Sequence, residues 1–76
     1  MKILLINDNI SEYEEWLTNL YDWFNANQAV VRFISVEDYG HVQSFYNHLY
    51  VYFELNDDYL DFFILVWGKY IDHMEP

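Results

Sequence analysis

Residues 11 to 25, Ser-Glu-Tyr-Glu-Glu-Trp-Leu-Thr-Asn-Leu-Tyr-Asp-Trp-Phe-Asn, constrain the fold more than any other stretch. Tyr13, Trp16, Leu17, Leu20, Tyr21 and Phe24 recur at the three-and-four spacing of one helical face. Glu12, Glu14, Glu15, Thr18, Asn19, Asp22 and Asn25 fall mainly on the rest of the cylinder. Ser11 with Glu14 three residues later makes a capping box, and three Glu in the first turn suit the positive end of the helix dipole. Asn27 is placed to end the helix as a left-handed cap. An aromatic inner face with an acidic outer one is the theme that the remaining segments repeat.

Ahead of this helix, Lys2-Ile3-Leu4-Leu5-Ile6 is a continuous apolar run closed by the turn-forming Asn7-Asp8-Asn9, which predicts a strand covered on both faces. Behind it, Ala29 to Val36 is rich in β-branched residues and broken only by Arg32 and Ser35, which predicts a second strand. Two strands around a helix make a βαβ unit with a right-handed crossover. Ser35 or Asp38 can cap a second helix, whose inner face would be Tyr39, Val42, Phe45, Tyr46, Leu49 and Phe53. From Leu49 to Leu55 the residues also alternate as a strand would, and the helical reading extends to about Tyr52. Asn56-Asp57-Asp58 punctuates the chain. Leu60 to Trp67 has helix-like charges, with acids at its start and Lys69 and His73 near its end. Phe62 to Trp67 is nevertheless apolar on every side, and a chain this small can hardly surround a helix, so a central strand is expected. Gly68 breaks the pattern, and the polar tail to Pro76 is expected to fray. The sum is one α/β domain over residues 1–76: a small three-stranded, largely parallel βαβαβ sheet with two acidic amphipathic helices.

A chain of 76 residues lies near the lower end of what folds without disulfides or metals. Its aromatic fraction of 22% supplies the buried area that a small core otherwise lacks, and argues against disorder. With no cysteine, neither a disulfide framework nor a thiolate zinc site can form, and a reducing cytoplasm fits. The apolar run at the start is too short for a secretory signal, and Phe62 to Trp67 falls far below the ~20 residues that span a bilayer. A soluble, cytoplasmic protein is expected, in the host cytoplasm if the gene is carried by a phage.

Thirteen Asp and Glu face only Lys2, Arg32 and Lys69, for a formal net charge of −10. Such a field repels nucleic acid and anionic membranes and accelerates encounter with cationic surfaces. Acidity of this kind can also serve solubility alone.

Lys2 to Asn9 resembles the first strand of response-regulator receiver domains, in which a strand of this kind ends in an acidic pair that helps hold magnesium. Asp8 matches one member of that pair, and Asn7 stands in place of the other. The resemblance implies the same element order as far as a third strand, matched here by Asp61 to Val66. The family's phosphoacceptor Asp would fall near Val66 or Trp67, and neither accepts phosphate. What the resemblance implies is therefore topology, without phosphorelay.

No residue pattern supports catalysis, and no enzyme is expected. Ser11, Ser35 and Ser44 lack an elbow motif, and Gly40 and Gly68, the two glycines, build no phosphate-cradling loop. Asp57, Asp58 and Asp61, with Asp8, are not spaced as a calcium loop. His41, His48 and His73 are not spaced as ligands of one zinc. Neither a metal nor a cofactor is expected.

The acidic surface remains. A helix presents a side chain on one face every roughly 4.5–6 Å, comparable with the ~3.4 Å between phosphates of one DNA strand. Glu12, Glu15 and Asp22 fall near one line, with Trp23 at its margin as an aromatic anchor. Glu37, Asp38, Glu54, Asp57, Asp58 and Asp61 can extend the row if their loops lie at the same edge. In composition the chain is similar to phage DNA-mimic anti-defence proteins (anti-CRISPR or anti-restriction) and to immunity proteins of nuclease toxins. The expectation is a small acidic inhibitor that blocks a cationic, nucleic-acid-binding site of a partner, such as a nuclease or CRISPR effector. The alternatives are a non-enzymatic receiver-like adaptor or a nuclease immunity protein. A homodimer through an uncovered sheet edge is open to the chain, against mutual repulsion.

Overall fold

The computed structural model describes residues 1–9, 11–38 and 49–76. Along them run strand β1 (Lys2–Asn7), helix α1 (Tyr13–Ala26), strands β2 (Val31–Asp38) and β3 (Leu49–Leu55), helix α2 (Leu60–Trp67) and strand β4 (Ile71–Glu75). Single 3-10 turns, Asp57–Tyr59 and Gly68–Tyr70, bracket α2. The described strands form one sheet in the order β2-β3-β1-β4, and every neighbouring pair is antiparallel. It follows that β1 and β2 run parallel with β3 between them, while β3 and β4 run parallel with β1 between them. Each helix joins two parallel strands that do not touch. Two interleaved split βαβ units of this order make the ferredoxin-like plan.

This corrects the expected three-stranded, largely parallel βαβαβ sheet. The β1–α1–β2 crossover is present, but β3 is inserted between the two strands and pairs with both. β3 itself replaces the end of the expected second helix; the rest of that helix, residues 39–48, lies outside the described residues. Leu49, Val51, Phe53 and Leu55 are buried and Tyr50, Tyr52 and Glu54 half-buried, an alternation of period two. Flanked by β1 and β2, this segment satisfies its backbone N–H and C=O groups in two ladders, which a helix at this place would forfeit for its neighbours too.

The second correction concerns Leu60 to Trp67, which is a helix and not a central strand. Asn56 caps the 3-10 turn that leads into it: its side-chain oxygen accepts the Asp58 N–H at 3.0 Å and its carbonyl accepts the Tyr59 N–H at 3.0 Å. The expectation of a strand assumed that the whole apolar run is buried. Only Phe63 and Trp67 of α2 are buried, whereas Phe62, Leu65 and Val66 are exposed. The tail, expected to fray, supplies β4, which pairs with β1 from Lys2↔Glu75 to Leu5↔Ile71.

Both helices lie on one face of the sheet, because both reach the inward ring of Phe53. Phe24 of α1 stands 4.9 Å from it and Phe63 of α2 stands 5.2 Å away, between ring centroids. β1 is accordingly not covered alike on its two sides: Ile3 and Leu5 are fully buried, Leu4 and Ile6 only half-buried. Inside β2 the register shifts between Phe33 and Ser35. Val31 and Val36, five residues apart, would point to opposite faces of a regular strand, yet both pack on the core. The irregularity absorbs the odd residue, which is why β2 does not alternate in the sequence.

Of the predicted inner face, α1 buries Tyr13, Trp16, Leu20 and Phe24, while Leu17 is half-buried and Tyr21 is exposed at the edge of the face. Its ends differ from expectation. Glu12 is the N-cap residue, without a side-chain cap bond, and the Ser11 hydroxyl donates to Asn9 Oδ1 at 2.6 Å. Asn27 has φ −124°, not a left-handed conformation, and its side-chain amide donates to the Trp23 carbonyl at 2.8 Å. The indole N–H groups of Trp16 and Trp67 are buried without an acceptor. Trp16 meets Trp67 and Tyr70 edge to face, with centroids 6.3 and 5.2 Å apart, an arrangement in which ring edges meet the negative π-face of a neighbour.

Candidate functional site

The strands hold Lys2 and Arg32 together with five acids, among them Glu37, Asp38 and Glu54, expected in loops beside the helix acids. Glu54, on the uncovered face of the sheet, stands opposite Lys2 of β1 and Arg32 of β2, and Lys2 also stands opposite Glu75 of β4. Opposite charges placed directly across strands support the pairing. Two of the three cations therefore belong to the sheet, and neither α1 nor α2 contains Lys or Arg. The helix layer is left with acids.

Within that layer the helices lie side by side and antiparallel, since Trp16 is near Trp67 and Trp23 is near Phe63, at 6.3 and 5.1 Å between centroids. Glu15 and Asp22 are exposed on the outward side of α1, and Glu14 is exposed beside them. Asp58 and Asp61 are exposed at the start of α2. Asp57, another of the sequence-predicted positions, is exposed as well, at 74% of its side chain.

Glu12, Asp57 and Trp23 have structural attachments. Glu12 is half-buried and accepts from Asn7 Nδ2 at 3.1 Å and from the Tyr70 hydroxyl at 3.5 Å, which ties the end of β1 and the start of α1 to the turn after α2. Asn7, itself buried, accepts the Asn9 N–H at 2.9 Å, so the polar corner is internally satisfied. Asp57 forms an ion pair with the Met1 ammonium at 2.7 Å, and that ammonium also donates to the Leu55 carbonyl. Trp23 is half-buried, with its ring against Phe63 and Phe24, so it fastens α1 to α2.

The helical form of α2 creates a surface that the sequence reading did not name. Tyr59, Phe62 and Leu65 follow one another at a spacing of three and Val66 stands four after Phe62, with exposures of 40, 67, 82 and 63% in chain order. Asp58 and Asp61 flank this stripe at its start and Lys69 stands at its end, with Nζ 4.9 Å from the centre of the Tyr70 ring. The signal in the sequence was the unbroken run Phe62 to Trp67, which has more apolar residues than one buried face can take.

Among the described residues, no three His, Cys, Asp or Glu side chains converge as a metal site. His73 is exposed, 3.7 Å from Glu75, while His41 and His48 lie outside the described residues. A concavity of about 460 Å³ beside Arg32, Glu54 and Asp57 is wide open and mostly polar. No described helix is long and apolar enough to cross a membrane. No protein-family model, curated protein or solved structure matches the chain.

Proposed function

We propose that the chain is a small acidic inhibitor that acts by binding and not by catalysis. It blocks a cationic, nucleic-acid-binding site of a partner protein, in the manner of a phage-type DNA-mimic anti-defence protein acting in the host cytoplasm. The observation that supports this reading most directly is that both helices carry exposed acids and neither holds Lys or Arg. Lys2 and Arg32 stand opposite Glu54 on the sheet, while Glu14, Glu15 and Asp22 line the exposed side of a helix that holds no cation. Glu15 and Asp22 stand seven residues apart, two helical turns, so they repeat along one line at about 10 Å. Like charges in this arrangement repel one another, and a cationic partner relieves that repulsion. Long-range attraction then speeds encounter, and apolar contacts beside the acids slow release.

The test begins with capture of the partner from the native host and its identification. Affinity is then measured from about 50 to about 500 mM salt, with DNA present as a competitor. The mimic requires a steep fall of affinity with salt and mutual exclusion with nucleic acid. Salt-insensitive binding, or a ternary complex with DNA, refutes it.

A further inference from the structure

The outward stripe of α2 has opposite charges at its two ends. Asp58 and Asp61 lie where the helix starts, Lys69 lies where it ends, and Phe62, Leu65 and Val66 fill the middle. The apolar surface exposed there is on the order of 400 Å², at the size where a patch on a monomer marks a contact site. Lys69 is also the one Lys or Arg of the chain outside the sheet. A surface that is acidic at one end, apolar in the centre and basic at the other complements itself when turned by a two-fold axis.

We propose that a second copy of this chain docks on the stripe, with α2 packed antiparallel against α2 of the partner about an axis near Leu65. Asp61 and Lys69 are placed symmetrically about Leu65, four residues to either side, or about 6 Å along the helix. The two-fold operation therefore brings Asp61 of each copy beside Lys69 of the other, and Leu65 meets its counterpart on the axis. Phe62 and Val66 close the apolar centre on either side.

A standard interface buries about 800 Å² per partner, so the stripe with its charged rim gives a dimer at the small, weak end of the range. The long-range term opposes it, because each copy carries −10. Added salt screens that repulsion and tightens the dimer. This is the opposite sign to the salt response of the inhibitory complex, and the dimer requires no other protein, so the two proposals stand or fall separately.

Sedimentation of the whole chain, from about 5 to about 500 μM, reads the association directly. The mass average rises from 9.4 kDa towards twice that value, and rises further with added salt. Leu65→Glu weakens association at least about tenfold with an unchanged far-UV spectrum, since Leu65 is 82% exposed. Lys69→Asp also weakens it, and adding Asp61→Lys to that variant restores it at the original net charge. A mass that stays at 9.4 kDa throughout overturns the proposal and leaves the stripe to a different protein. A dimer indifferent to Leu65→Glu overturns the surface, and failure of the charge swap to rescue overturns the antiparallel arrangement.

Discussion

Trp23 and Phe63 meet ring to ring at 5.1 Å and 67°, and this contact joins the two helices over the sheet. Phe63 in turn lies 5.2 Å from Phe53 of β3, so one fully buried ring links α1, α2 and the sheet. Phe63→Ala removes that link and costs about 3–5 kcal/mol, the usual range for a large buried aromatic. Such a loss is comparable with the whole stability of a domain this size. Chemical denaturation should show a chain largely unfolded at 25 °C or close to its midpoint.

Leu65, two residues further on, gives the contrasting outcome. In a strand, positions 63, 65 and 67 would share one face; in α2, Leu65 points away from Phe63 and Trp67 and is exposed. Leu65→Ala therefore changes stability by no more than about 0.5 kcal/mol. A loss similar to that of Phe63→Ala in the same denaturation experiment would argue against the helix.

Glu12 closes a polar corner by accepting from Asn7 and Tyr70. Glu12→Ala leaves the side-chain amide of buried Asn7 without this acceptor and costs about 1–2 kcal/mol. Glu12→Gln keeps an acceptor oxygen and recovers most of the loss. Equal losses in the two variants would show that charge, not hydrogen bonding, matters at this corner.

Gly68 has φ −56° and ψ −36°, a helical conformation open to any L-residue. An added Cβ would stand 3.2 Å from Ile64 Cγ2, and Ile64, at 38% exposure, has room to turn outwards. Gly68→Ala then stabilises the fold by about 0.4–1 kcal/mol by restricting the unfolded chain. A lower melting temperature would mean that Ile64 cannot yield.

Glu15 and Asp22 test the inhibitory reading. Their joint replacement, Glu15→Gln with Asp22→Asn, leaves the unfolding midpoint within about 0.5 kcal/mol of the parent because both are surface positions. It slows association with the cationic partner and flattens the salt dependence. Unchanged association kinetics would detach function from this face of α1.

Local chemistry determined a good deal. The three-and-four spacing of Tyr13, Trp16, Leu20 and Phe24 was enough to place α1 and its buried face, because a helix positions those side chains whatever it lies against. The apolar run Ile3 to Ile6 placed β1 in the same way. The excess of acids was visible too, though not that the cations Lys2 and Arg32 would stand opposite Glu54 and leave the helix layer acidic. Tertiary structure decided the remainder. Residues 49–55 fit helical and alternating spacing alike, and only pairing with β1 and β2 selects the strand. Phe62 to Trp67 is apolar all round, so periodicity carries no information about it, and its form depends on how much of it the fold covers. Strand order and direction come from contacts between residues as far apart as Lys2 and Glu75, which no local pattern encodes. The exposed stripe of α2 follows from those distant choices: with Phe63 held against Phe53, the helix must turn Phe62, Leu65 and Val66 outwards.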